Sequence, residues 1–347
     1  MKEASFYRTR ENGKVECYLC RHHCVIADGK RGICCVRQNE GGTLYTLVYA
    51  NPCSWHVDPI EKKPLFHFFP GSKAFSIATV GCNFHCLHCQ NHDIAQLPRE
   101  QGRVPGHEMA PEEVVSEARL SGCRSISYTY TEPTMFFEYA FDTAKLAKEE
   151  GIYNNFVTNG YIEKEPLTAI APYLDGANID LKSISGDFYA KVCGAKVEGV
   201  LESIREYRRL GIWIELTTLV IPKYNDSADE FRKIAGWIRD EVGVETPWHV
   251  SAFHPMYKLT DSYSTPAETL VRAREIGLEA GLRYVYVGNV PGLDGENTYC
   301  WQCKKPVIER WGFTVSAYHL KGSACEYCGA KIDGVGVQPT PSRVRVC

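Results

Sequence analysis

The sequence predicts an α/β protein built on a parallel sheet, open or curled into a barrel, with a cysteine-rich segment before it and a four-cysteine ribbon after it. Three observations predict this. Between residues 74 and 290, short apolar runs alternate with amphipathic helical stretches about six times, the pattern of strand–helix–strand crossovers. The chemically distinctive residues of that stretch recur at the C-terminal ends of the expected strands, where parallel α/β folds carry their sites. Finally, the sixteen cysteines of the 347 residues gather mostly in three sets: one before the alternating stretch, one at its start and one beyond its end.

The elements follow in order. Residues 35–72 read as an accessory β-rich segment. In it Leu44 to Val48 forms a strand, and DPIEKKPLFHFFPG (58–71) makes a proline-punctuated connection across the barrel bottom or edge. Expected strands are 74–80, 125–130, 153–158, 176–181, 213–221, 248–253 and 283–287, each rich in β-branched or aromatic residues. Expected helices are 111–121, 134–150, 164–171, 196–211, 228–242 and 266–281. Pro111-Glu112-Glu113 and Pro266-Ala267-Glu268 place proline and acid in a first helical turn, where the missing N–H costs nothing and the dipole favours a carboxylate. Residues 306–320 form a short hairpin, and the tail from Gly334, with QPTPSR, reads as loose. The expected division is therefore 1–72 for the N-terminal cysteine-rich segment, 73–292 for the sheet domain, and 293–347 for the ribbon and tail.

Composition excludes several classes. Hydrophobic residues make up 44% and charged residues 23%, ordinary for a globular chain with a real core. A formal charge of −3 argues against a broad nucleic-acid-binding field. The opening MKEASFYRTRENGK is polar and has no secretory apolar run, and no stretch approaches the ~20 apolar residues of a membrane span. A cytoplasmic location is expected. In that reducing compartment clustered cysteines serve as metal ligands or redox groups rather than disulfides.

Each cysteine set has its own spacing. Cys300, Cys303, Cys325 and Cys328 form two Cys-x2-Cys knuckles separated by 21 residues. That pattern brings four thiolates to one tetrahedral ion, either structural Zn²⁺ or a rubredoxin-like mononuclear iron. Cys17, Cys20, Cys24 and Cys34 are separated by two, three and nine residues, and such a loop holds either Zn²⁺ or an iron–sulfur cluster. His22 and His23 are spare ligands there, though surface roles suit them better. The middle set, Cys82, Cys86 and Cys89 in GCNFHCLHCQNH, has only three thiols. On a four-iron cluster, three ligands leave one iron open, which a catalytic metal needs and a structural one does not. Cys35, Cys53, Cys123, Cys193 and Cys347 read as inert thiols, with Cys193 a weaker candidate for a radical relay.

The strand ends reinforce the middle set. The three-cysteine loop follows the first strand of the alternating stretch. Thr131-Glu132-Pro133 follows the second, Thr158-Asn159-Gly160 the third, Asp180 and Lys182 the fourth, Pro222 the fifth and His254-Pro255 the sixth. Six successive strands thus deliver polar or metal-binding groups to one rim. Tyr128, Tyr130, Phe136 and Phe137 flank the Glu132 loop, where core packing is the more ordinary role of aromatic rings.

Taken together, these residues resemble the radical S-adenosylmethionine enzymes, within them the branch related to pyruvate formate-lyase activating enzymes, and more closely the AmmeMemoRadiSam-system radical enzymes. The resemblance rests on CYLCRHHC, HVDPIEKKPLFHFFPG, GCNFHCLHCQNH, YTYTEPT, VTNGY, IDLKS, LTTLVIP, HPMY, GNVPG and NTYCWQC, which together span nearly the whole chain. It implies a partial (β/α)6 TIM-like barrel, with a 4Fe–4S cluster on Cys82, Cys86 and Cys89. The open iron would bind S-adenosylmethionine, and an electron from a ferredoxin- or flavodoxin-type donor would release a 5′-deoxyadenosyl radical that abstracts hydrogen from an undetermined substrate. The resemblance also implies cofactor contacts. Glu132 would meet the methionine ammonium, Thr158 and Asn159 the ribose or carboxylate, Lys182 a carboxylate with Asp180 orienting a charge, His88 and Phe84 the adenine, and His254 the region of the sulfonium. Three positions depart from the pattern: Val157 replaces an aspartate of the activases, His88 replaces an aromatic residue, and the Thr-Glu-Pro turn lacks paired glycines. The competing readings are a glycyl-radical-enzyme activase and a non-enzymatic zinc/iron–sulfur binding or electron-transfer protein.

Overall fold

The structure, a computed structural model, describes residues 1–290 and 295–339. Its centre is one eight-stranded sheet. The strands are β1 (Ser54–Pro59), β2 (Lys73–Ala78), β3 (Ser125–Tyr128), β4 (Tyr153–Thr158), β5 (Gly176–Asp180), β6 (Trp213–Val220), β7 (Trp248–Ala252) and β8 (Val285–Gly288). They lie side by side in chain order. β2 to β8 are parallel, and β1 pairs antiparallel with β2. The segment expected to be accessory therefore contributes an edge strand to the main sheet.

Six helices make the crossovers: α1 (Pro111–Leu120), α2 (Phe137–Glu149), α3 (Lys164–Ile170), α4 (Val197–Arg209), α5 (Ala228–Trp237) and α6 (Ala267–Glu279). Local chemistry sets their starts. Glu113 Oε2 accepts the Ala110 N–H at 2.6 Å, and Ser227 Oγ accepts the Glu230 N–H at 3.1 Å, each satisfying a donor the helix itself leaves unpaired. The expected helix from 134 begins instead as a 3-10 turn, Pro133–Phe136, because Glu132 caps it through the Thr134 N–H.

The register gives the sheet two unlike faces. Ser76 pairs with Ser127, Ser127 with Asn155, Asn178 with Glu215, Asp180 with Thr217, Thr217 with His249, and Ser251 with Gly288. In-register partners of parallel strands share a face, so one face carries a polar ladder across the sheet. The alternate residues, among them Phe75, Ile126, Phe156, Ile179, Leu216 and Val250, are buried in the main apolar core. Both faces of a parallel sheet are usually apolar. A polar face is the arrangement of a sheet that encloses a binding cavity.

The N-terminal residues form two small antiparallel sheets, one of Lys2–Glu3, Arg37–Glu40 and Thr43–Thr46, the other of Tyr7–Thr9, Val15–Cys17 and Cys24–Ile26. The strand expected at Leu44–Val48 is thus displaced to Thr43–Thr46. After the sheet domain, Pro306–Trp311 and Thr314–Tyr318 form the expected hairpin. The tail differs from expectation where it is described. Val335 bridges Phe68 and exchanges backbone hydrogen bonds of 2.8 Å with Phe69 and His67, so Gly334–Val335 is docked rather than loose. Most of QPTPSR, and the end of GNVPG, lie outside the described residues.

Candidate active site

The three-cysteine loop leaves the end of β2 through Gly81, whose φ of +101° suits glycine alone. The rest of the loop is held from behind. The His85 and Leu87 N–H groups donate to the Cys193 and Val192 carbonyls at 3.1 and 2.9 Å, and the Lys258 N–H donates to the Leu87 carbonyl at 2.9 Å. Gln96 Nε2 donates to the Phe84 carbonyl at 3.1 Å. The approach behind His85 is so close that a Cβ on Gly194 would stand 1.9 Å from the His85 ring.

Two neighbouring strand ends are tied to this loop through Glu132. Its buried carboxylate accepts from Thr134 N (3.0 Å), Thr134 Oγ1 (2.6 Å), Thr158 Oγ1 (2.8 Å) and Asn159 N (2.8 Å). Asn159 Nδ2 in turn donates to Asn83 Oδ1 at 2.7 Å and lies 3.8 Å from Cys82 Sγ. Three of these donors converge on Oε1 and one on Oε2, so Oε2 keeps a lone-pair site. Glu132 thereby joins the β3 and β4 ends to the cysteine loop. Thr158 and Asn159 are part of the same tie.

The other expected residues divide. Lys182 Nζ pairs with Asp180 at 2.7 Å, and its charge reaches Cys86. The thiol of Cys193 donates to the Cys86 sulfur and, with Lys182, holds Cys86 below the ordinary thiol range against the opposing effect of burial. Burial holds Cys82 well above that range. His88 is buried, and neither of its ring nitrogens has a partner. Phe84 is 1% exposed and packs in the core against Tyr161, with ring centroids 5.2 Å apart. His254 is exposed, with Nδ1 3.0 Å from Ser264 Oγ. His22 and His23 are committed elsewhere, to the Asn83 carbonyl at 2.9 Å and Glu163 at 2.9 Å.

Beside the loop lies a cavity of about 690 Å³, within the range of roughly 300–1,000 Å³ for small-molecule sites. Gln90, next to Cys89, forms part of its wall, as do Thr217, His249 and Ser251 of the polar ladder. Residues Arg310–Phe313 of the ribbon hairpin form another part. Sequence reasoning missed this set. Its signal was the alternation of polar residues inside the expected strands, as in WIELTT and WHVSA. Below the cavity, Glu215 is fully buried and accepts from Phe66 N (3.0 Å), His67 N (2.8 Å), His249 Nε2 (2.8 Å) and Trp213 Nε1 (3.2 Å).

The donor set fits a cluster at the three-cysteine loop. Three thiols lie in one loop at a strand end, a backbone N–H from Phe84 is directed at Cys82 Sγ (3.4 Å), and an unpartnered buried imidazole, His88, precedes Cys89. The ribbon cysteines form a different kind of centre. Cys300 and Cys328 lie 3.6 Å apart, Cys303 and Cys325 3.7 Å, and all four sulfurs lie within 4.8 Å of one another. A tetrahedral ion bonded at about 2.3 Å requires edges of ~3.8 Å, so this set suits one zinc or iron ion.

Comparison with known proteins agrees with this geometry. The profile of the Radical SAM superfamily matches residues 76–238. The chain is 50% identical over 335 residues to an uncharacterized protein of Methanocaldococcus jannaschii, covering 96% of this chain and 99% of that one. It is 24% identical to the pyruvate formate-lyase-activating enzyme of Clostridium pasteurianum, over 53% of this chain and 78% of that one. Among solved structures, the fold is similar to that of a radical SAM methyltransferase from Sphaerobacter thermophilus, with a TM-score of 0.50, 14% identity, and coverage of 64% of this chain and 67% of that one.

Proposed function

Since the chain belongs to the radical SAM superfamily, we propose that it cleaves S-adenosylmethionine reductively and uses the resulting radical on a substrate held against the polar face of the sheet. Cys82, Cys86 and Cys89 would hold a 4Fe–4S cluster which, with S-adenosylmethionine and one electron from a ferredoxin- or flavodoxin-type donor, would supply a 5′-deoxyadenosyl radical. The observation that carries the reading is continuity: the three-thiol loop and the cavity share a wall at Gln90, so a radical formed at the loop opens onto the space a substrate would fill.

The chain's own residues have separable tasks. Glu132, Thr158 and Asn159 hold the cysteine loop in register with two strand ends. Lys182 and the Cys193 thiol lie beside the Cys86 sulfur and favour its anionic form, which a metal ligand must adopt. The partial (β/α)6 barrel is the reading of the sheet that agrees with its polar face, and the AmmeMemoRadiSam branch is the one whose motifs the chain carries. Described cysteines are all free and no helix of the described residues is long and apolar enough to cross a membrane, in keeping with a cytoplasmic enzyme.

A second reading, a glycyl-radical-enzyme activase, draws on the similarity to the C. pasteurianum activating enzyme. Anaerobic reconstitution followed by dithionite and S-adenosylmethionine tests the first reading. It expects 5′-deoxyadenosine and methionine from the wild type and none from Cys86→Ala; a fully reconstituted protein that leaves S-adenosylmethionine intact refutes it. A glycine-centred radical appearing on an added partner protein would decide for the second.

A further inference from the structure

The three cysteine sets of this chain differ in how far apart their sulfurs stand. The ribbon set has the close spacing of a single ion. Among the described residues it is the one group of three or more Cys, His, Asp or Glu whose ligand atoms all lie within 4.8 Å of one another. Cys17, Cys20, Cys24 and Cys34 are spread more widely, as are the catalytic Cys82, Cys86 and Cys89. All four N-terminal cysteines line one void of about 10 Å³, room for about one water, whose wall includes Leu19 and Ile26. His22, the histidine on that wall, already bonds the Asn83 carbonyl. The site offers four sulfurs spread too widely for one ion bonded to all of them at about 2.3 Å.

We propose that Cys17, Cys20, Cys24 and Cys34 hold a second 4Fe–4S cluster, complete in its protein ligands and separate from the one that would bind S-adenosylmethionine. Its surroundings suit sulfur ligands. Arg37 is 1% exposed; its Nη2 pairs with buried Glu138, its Nη1 donates to the Ser5 carbonyl at 2.9 Å and lies 3.8 Å from Cys17 Sγ, and its Nε has no partner. A guanidinium held in place by Glu138 beside the thiols offers N–H donors to a sulfur ligand. Gly32 leaves room beside the ligands, since a Cβ there would stand 3.7 Å from Cys24 Sγ and 3.2 Å from Ile26 Cδ1.

The void also adjoins the catalytic loop. Asn83, the residue after Cys82, forms part of its wall. Gly81 approaches Val36 so closely that a Cβ would lie 2.6 Å from Val36 Cγ1. The two cysteine sets are therefore neighbours across residues 81–83. The assignment does not depend on S-adenosylmethionine cleavage and goes beyond it.

Inorganic sulfide is the deciding measurement, because a zinc ion or a mononuclear iron carries none. Full-length protein reconstituted anaerobically with iron and sulfide should contain about eight sulfides per chain, and the triple variant Cys82→Ala/Cys86→Ala/Cys89→Ala about four. The triple variant should keep the visible absorption and, after reduction, the electron paramagnetic resonance signal of a 4Fe–4S centre. Adding Cys20→Ala and Cys34→Ala should remove both. About four sulfides in the wild type, or a triple variant without sulfide that carries zinc at the N-terminal set, overturns the assignment. The wild-type count decides even if a variant fails to fold.

Discussion

Replacing Glu215 by glutamine should destabilise the protein by about 3–5 kcal/mol near pH 7. The carboxylate sits at the base of the cavity with no exposure and takes two donors on each oxygen: His67 N and Trp213 Nε1 on one, Phe66 N and His249 Nε2 on the other. Glutamine keeps one acceptor oxygen. Whichever way its amide turns, the NH2 faces a backbone N–H of Phe66 or His67, and an unsatisfied buried donor costs ~1–3 kcal/mol. Bonds that remain weaken from ~1.5–3 kcal/mol for a charged acceptor to ~0.5–1.5 kcal/mol for a neutral one. Urea unfolding of the anaerobic holoprotein, followed by near-ultraviolet circular dichroism, measures the sum. The pH dependence has a defined sign. Burial raises the Glu215 pKa, but the His249 hydrogen bond and the charges of His249 and His67 outweigh it, so the net position lies below the ordinary 4.5. As pH falls past 4.5 the unfolded chain takes up the proton first, so this stabilisation is present at neutral pH and lost in acid. The gap between wild type and variant should be level near neutrality and shrink below pH 4.5. A variant within about 1 kcal/mol of wild type at pH 7, or a gap that widens in acid, would refute the reasoning.

Gly194→Ala should distort the cysteine loop, because φ is +73° and the new Cβ would meet the His85 ring at 1.9 Å; iron retained per chain after desalting should fall while the ribbon ion stays bound. Arg310→Met should loosen the ribbon. Arg310 Nη2 and Nη1 donate to the Phe66 carbonyl and Thr298 Oγ1 at 2.8 Å, and the guanidinium pairs with buried Glu61 at 3.4 Å. Breaking such a pair costs ~3–5 kcal/mol, and limited proteolysis should cut the hairpin region earlier than in wild type. Lys63 pairs with Asp58 at 2.6 Å, yet burial lowers its pKa from 10.5 to about 8. Between those values the unfolded chain binds the extra proton. The stability of wild type relative to Lys63→Met should therefore rise by roughly 3 kcal/mol from pH 8 to 10.5, and a flat difference would contradict the buried-lysine assignment.

Much of the architecture was legible because it is local. The alternation of short β-branched runs with helical stretches marked seven parallel strands and six crossover helices, since period-2 and period-3.6 burial are written in neighbouring residues. The knuckle spacing of the ribbon set was equally direct, and four sulfurs do gather there. β1 was not recognised as part of the main sheet, because an antiparallel edge strand such as Ser54–Pro59 is defined by its partner rather than by its own residues. Glu132 was visible as a strand-end carboxylate. That its oxygens would accept from Thr134, Thr158 and Asn159 depended on donors up to 27 positions away.

The sequence by itself determined the ligand types, their spacing and the rim to which they are delivered, because those follow from covalent neighbours and from the polarity of each strand. Only the tertiary structure decided which side chains face the cavity, which are consumed holding loops together, and how far apart each set of sulfurs stands. Those properties depend on register between strands and on the packing of segments distant in the chain. A one-residue shift in register would turn the polar ladder of Asn178, Thr217, His249 and Ser251 into the apolar core.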